Sequence, residues 1–124
     1  MELKIKDVSL SKCNLISGTQ IDSIDLKCNS DAALIKPFEF ALIPTGIVMK
    51  IPIGYDVQVK CVKNFSVRKG LLILSSFDYQ NRIEESELLI PIVNLSGKNQ
   101  VIMRDEVIAC LRIIPVESIR LVKS

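Results

Sequence analysis

Lys60, Lys63, Arg68 and Lys69 lie within one short stretch and could hold a phosphate or another anion through charge-assisted hydrogen bonds. Without that role they are the solvated end of a strand and the loop that follows it. Glu84, Glu85 and Glu87 could bind a divalent cation or work as paired acids, or simply form a charged hairpin tip. Gly97-Lys98 has the ending of a phosphate-binding P-loop, but Ile92 stands where the earlier glycine belongs and no helix follows, so it is set aside. Cys13, Cys28, Cys61 and Cys110 form no CxxC pair, and the chain has no histidine. Dispersed thiols without histidine make a poor zinc set. A disulfide framework in a secreted protein is the alternative to small, mostly buried free thiols in a reducing compartment; the second is the reading preferred here. The missing histidine also removes His-based triads and the usual near-neutral proton shuttle.

Positioning any such chemistry falls to a single domain, because 124 residues suit one core and not two. With 48% hydrophobic and 24% charged residues the chain is neither disordered nor fibrous. A formal charge of +2 is too small a bias to argue for nucleic acid or an anionic membrane. Met1-Glu2-Leu3-Lys4-Ile5-Lys6 alternates charged and apolar residues, unlike a signal peptide, and no apolar run reaches the roughly 18 residues of a membrane span. The expected setting is cytoplasmic, with neither membrane nor nucleic acid as partner.

Ile and Val dominate the apolar residues, and β-branched side chains suit strands. Leu3–Lys6 alternates with period two and reads as a half-exposed strand. Residues from Ser11 to Ser30 read as irregular, with Ile21, Ile24 and Leu26 as buried anchors. Phe38–Met49 reads as a strand pair broken by a turn at Pro44-Thr45-Gly46. In Asp56–Val62, Val57, Val59 and Cys61 face one way and Gln58, Lys60 and Val62 the other. Lys63–Gly70 reads as a loop, and Leu71–Leu74 as a short buried strand. Glu87–Leu95 is a strand that Pro91, lacking an N–H, moves towards an edge or a bulge. Gln100–Met103 and Val107–Pro115 follow as strands. Short strands at 8–12-residue intervals without a convincing amphipathic helix predict an all-β sandwich, barrel or jelly roll.

The order of these segments resembles the trimeric dUTPase family, over most of the chain from about Leu3 to Pro115. Ala41-Leu42-Ile43-Pro44-Thr45-Gly46-Ile47 and Ile53-Gly54-Tyr55-Asp56-Val57-Gln58-Val59 are similar to the family's "L-[IV]-P-T-G" strand and "P-x-G-Y-x-x-Q-[IV]" turn. Arg68-Lys69-Gly70-Leu71 resembles "K-x-G-[IVL]", Asn94-Leu95-Ser96 resembles "N-L-S", and Ile108-Ala109-Cys110-Leu111 resembles "I-A-Q-L". The resemblance implies a jelly-roll-like β-barrel of the β-clip type, built as a homotrimer with nucleotide sites between subunits.

Several chemical positions of that family carry other residues here. The Asp that serves as general base falls on Asn81, and a carboxamide cannot take a proton from water near neutral pH. The Tyr against the deoxyribose falls on Glu84, with Glu85 and Ser86 after it, and the Asn that reads uracil falls on Ser75. The "R-S-G" motif falls on Val62-Lys63-Asn64. "G-D-R-I-A-Q" falls on Asp105-Glu106-Val107-Ile108-Ala109-Cys110, so its Arg and its phosphate-binding Gln are replaced. Asp25, whose counterpart orders Mg²⁺-bound water, is kept. No glycine follows Gly97, so the glycine-rich closing arm is expected to be absent. The catalytic Glu of the deaminase branch would fall on Pro91. The resulting expectation is a catalytically inactive dUTPase-fold homotrimer, viral or regulatory, without a cofactor. Its intersubunit pockets would hold a nucleotide or similar small anion, with Asp25, Lys63, Asn64, Arg68, Lys69, Ser75, Asn81, Arg82, Glu84 and Cys110 as lining. One alternative is a protein-interaction or structural module with vestigial pockets. The other is residual dUTP pyrophosphatase activity, Mg²⁺-dependent, with Glu84 or Glu85 as substitute base.

Overall fold

The computed structural model of the protein describes residues 5–7, 23–62, 65, 68–74 and 87–124. Among the described residues the strands are β1 (Ile5–Asp7), β2 (Ile24–Lys27), β3 (Ala33–Ile35), β4 (Phe40–Met49), β5 (Tyr55–Cys61), β6 (Leu71–Ile73), β7 (Glu87–Asn94), β8 (Gln100–Ile102) and β9 (Val107–Pro115). They pair antiparallel in sheets ordered β1-β4-β7-β6, β2-β9-β5 and β3-β8. The expected all-β architecture is present, and the strands read at Asp56–Val62, Leu71–Leu74, Glu87–Leu95 and Val107–Pro115 coincide with β5, β6, β7 and β9 to within a residue at each end. Alternation sends Ile43, Ile47 and Met49 of β4, Leu88, Ile90 and Ile92 of β7 and Leu71 of β6 into one core. Ile24 and Leu26 of β2, Val57 of β5 and Ile108, Ala109 and Leu111 of β9 meet them there. Cys28, Cys61 and Cys110 are free thiols, Cys28 fully buried; Cys13 and Ile21 lie outside the described residues.

Four sequence expectations need correction. Pro44-Thr45-Gly46 is not a turn: β4 runs unbroken through it, with extra residues bulged between the Pro44–Leu89 and Val48–Glu87 pairs. Gly46 takes φ 72°, a left-handed conformation that suits glycine, and its N–H donates to Glu87 Oε1 at 2.6 Å. Buried Thr45 donates its hydroxyl to the Leu88 carbonyl at 2.7 Å and accepts from Ile47 N at 3.3 Å, replacing ladder bonds that the bulge removes.

Pro91, secondly, sits in an inner strand, between β4 and β6. It faces Leu42 across β4, and its carbonyl accepts from Leu74 N at 2.9 Å. The missing N–H therefore points to the β6 side, just where β6 stops, so its cost is confined to the reciprocal bond of the last pair in that ladder. Thirdly, the stretch read as a loop after β5 has Phe65, Arg68 and Lys69 in helical conformation. Part of the stretch read as irregular forms β2.

Candidate functional site

The landmark residues of the sequence mostly build turns and brackets. Asn94 is fully buried with its amide satisfied on both sides. Its Nδ2 donates to the carbonyls of Ile35 at 2.8 Å and Lys98 at 2.9 Å, and its Oδ1 accepts from Ser96 N at 2.8 Å and Ser96 Oγ at 2.6 Å. One side chain thus ties the turn after β7 to the end of β3. Gly70, at φ 67°, lies against that turn, and a Cβ there would stand 3.0 Å from Ser96 Cβ and 3.2 Å from Ser96 N. Of the three glutamates with the chemistry of paired acids, Glu87 is occupied by the β4 bulge, taking Gly46 N and, at 3.4 Å, Asn29 Nδ2.

Two of the expected lining residues, Asp25 and Cys110, share the outward face of the β2-β9-β5 sheet with Lys60. Asp25 of β2 stands opposite Cys110 of β9, and Cys110 stands opposite Lys60 of β5. Directly opposed residues share a sheet face, with Cβ atoms about 4.5–5.5 Å apart, so the three form one row. The neighbouring Ile24–Leu111–Val59 row faces the core. Asp25 and Lys60 are accordingly exposed and Cys110 half-buried. Exposed Arg112 and Gln58 are opposed two residues further along, on the same outward face. Among the described residues the ion pairs are Lys69–Glu106 and Arg104–Asp31, so Asp25, Lys60 and Arg112 belong to neither.

The expected basic cluster divides. Lys69 Nζ donates to Glu106 Oε1 at 2.5 Å and to the Val101 carbonyl at 3.1 Å, and lies 5.8 Å from the centre of the Phe65 ring. Glu106 is in turn anchored by Met103 N at 3.1 Å. The Lys69 ammonium thus clamps the helical segment to the β8–β9 connection. Arg68 is exposed. Lys63, Asn64, Ser75, Asn81, Arg82 and Glu84 lie outside the described residues. Sequence reasoning paired Asp25 and Cys110 with nothing in particular and left Lys60 out of the lining. The signal that joins them is strand register, which links positions far apart in the chain.

No family model matches the chain. The deoxyuridine 5'-triphosphate nucleotidohydrolase of Hydrogenobaculum sp. (strain Y04AAS1) is 33% identical over 101 residues, covering 82% of this chain and 70% of that protein. The chain belongs to the dUTPase family. The Aquifex aeolicus (strain VF5) dUTPase is 38% identical over 97 residues, covering 77% of this chain and 65% of its own length. Among solved structures, a mutant dUTPase from phage phi11 of S. aureus, described with a structural Mg(II) ion, has a TM-score of 0.80 at 16% identity, covering 100% of this chain and 97% of its own. The dUTPase of Staphylococcus bacteriophage 80alpha gives 0.79 at 18%, covering 99% and 96%. These likenesses show the fold.

The relatives overturn the expectation of a catalytically inactive member. Proteins named as dUTP nucleotidohydrolases match at 29–38% identity over 72–90% of the chain, which favours an active dUTPase. The physical weakness of the inactive reading is plain. Substitutions at motif positions show which side chains are gone, not which neighbours have taken over their work.

Proposed function

We propose that the protein is a dUTP diphosphatase, hydrolysing dUTP to dUMP and pyrophosphate at sites between the subunits of a homotrimer. The observation that carries this is the match to dUTP nucleotidohydrolases over 82% of the chain. The Asp25–Cys110–Lys60 row supports it by placing a carboxylate and an ammonium on one exposed face. The base is assigned to Glu84 or Glu85, because Asn81 cannot accept the proton of the attacking water. Lys63, Asn64 and Arg68 would face the phosphates, and Ser75, Asn81 and Arg82 would line the base and sugar. The described residues hold no group of three or more Cys, Asp or Glu that could bind a bare cation. A metal on a triphosphate takes most of its coordination from phosphate and water, and the exposed carboxylate of Asp25 fits a contact through that water. Mg²⁺ would offset charge on the triphosphate oxygens. Pyrophosphate release from dUTP that requires Mg²⁺ and stops with a chelator is the expected result; none above background would refute the proposal.

The trimer has a physical motive as well as a family one. On the outer face of the β4-β7-β6 sheet, Phe40, Val93 and Leu72 form one row, and Leu42 and Pro91, with Leu74 beside them, form the next. Phe40 is 66% exposed, Leu42 48% and Leu72 41%. Phe38, 75% exposed at one end of this face, holds φ 63°, a strained conformation for a bulky side chain. Contiguous apolar surface without a charge in either row suits burial against further copies of the chain. Light scattering should give about three times the chain mass of 13.9 kDa. Phe40→Asp should shift it towards one chain; a wild-type monomer would contradict the assembly.

A further inference from the structure

We infer that Lys60 is a phosphate-binding residue of this dUTP site, an inference that rests on the dUTPase reading above. The positions where the family resemblance expects phosphate-holding Arg and Gln side chains carry Val62, Val107 and Cys110. None of these can donate a strong hydrogen bond to a phosphate oxygen. A polyanionic substrate still has to be held, so the charge must come from another place on the same surface.

Register provides one. Lys60 is the residue directly opposite Cys110, on the same outward face, so its ammonium can lie over the place that an amide at Cys110 would have served. A flexible four-carbon stem makes that reach easy. Cys110 is small and neutral and does not compete for the cation. Asp25, the other charge in the row, is a full strand beyond Cys110, about 9.5 Å from β5 in the hydrogen-bonding direction, and is not paired with Lys60. Arg112 lies diagonal to Lys60 and opposite neutral Gln58, and Asp56 lies on the far side of Gln58 along β5, four residues from Lys60. Lys60 and the diagonal Arg112, neither in an ion pair among the described residues, make the Lys60–Cys110 end of this face the one that would attract a polyphosphate. Lys69, the more obvious candidate by sequence, is already held by Glu106 and Val101.

The test is calorimetric binding of dUpNHpp, a dUTP analogue, and of dUMP to the full-length wild type, Lys60→Met and Lys60→Arg. Lys60 is exposed, and unchanged circular dichroism would establish that each variant is folded. Lys60→Met should weaken dUpNHpp about 10- to 100-fold, the range for losing a hydrogen bond to a charged group. The loss for dUMP should be smaller, and Lys60→Arg should stay within a few-fold of wild type. A merely structural role would weaken both ligands equally and would not be rescued by arginine, and that result would overturn the inference. Wild-type dUTP turnover combined with unchanged dUpNHpp affinity in Lys60→Met would also overturn it, while leaving the dUTPase reading intact. A wild type that neither binds the analogue nor turns over dUTP would bring down both.

Discussion

Replacing both Glu84 and Glu85 with glutamine is expected to lower kcat on dUTP by about 10²- to 10⁴-fold, the usual contribution of a positioned general base. Each change keeps the side-chain length and hydrogen-bonding capacity and removes only the ability to accept a proton. One of the two single variants should account for most of the loss, and KM should move little, since the carboxylate acts on water rather than on phosphate. Full activity in the double variant would remove both residues as candidates for the base.

Asn94→Ala is expected to destabilise the protein by about 2–4 kcal/mol, the largest stability effect anticipated for a single polar side chain here. The substitution strands the buried Ile35 carbonyl and withdraws the acceptor from Ser96 N and Oγ, in a site without exposure to water at Asn94. A residue of similar size does not restore the bracket: in Asn94→Asp the carboxylate could still accept from Ser96 but would point a charge at two carbonyls. Urea unfolding of Asn94→Ala should show a lower midpoint with an unchanged slope. A shift smaller than about 0.5 kcal/mol would mean that the turn holds without its central amide.

These residues illustrate what a linear sequence makes legible. Period-two alternation in Asp56–Val62 and the apolar run at Leu71 locate β5 and β6 from local order, but the run misstates burial: Leu71 is buried, whereas Leu72 and Leu74 are 41% exposed on the outer face. The bulge in β4 is not local in that sense. Pro-Thr-Gly is ordinary turn chemistry until Thr45 finds Leu88 and Gly46 finds Glu87 across the sheet. Helical conformation at Lys69 is likewise secured by Glu106, a residue far along the chain. β3 is too short to show a pattern and exists through its pairing with β8. At the site, Asp25 and Cys110 could be singled out through the family resemblance, but their alignment with Lys60 arises only when β9 lies between β2 and β5. Residue types at motif positions also misled in one respect, since their loss suggested inactivity where the relatives favour activity.

The most direct measurement is product analysis. Purified protein incubated with dUTP and Mg²⁺ should convert it, by ion-exchange chromatography, to equal amounts of dUMP and pyrophosphate at a rate proportional to protein concentration, with UTP and dTTP turned over more slowly. Unchanged dUTP after prolonged incubation, or conversion to dUDP and orthophosphate, would contradict the assignment.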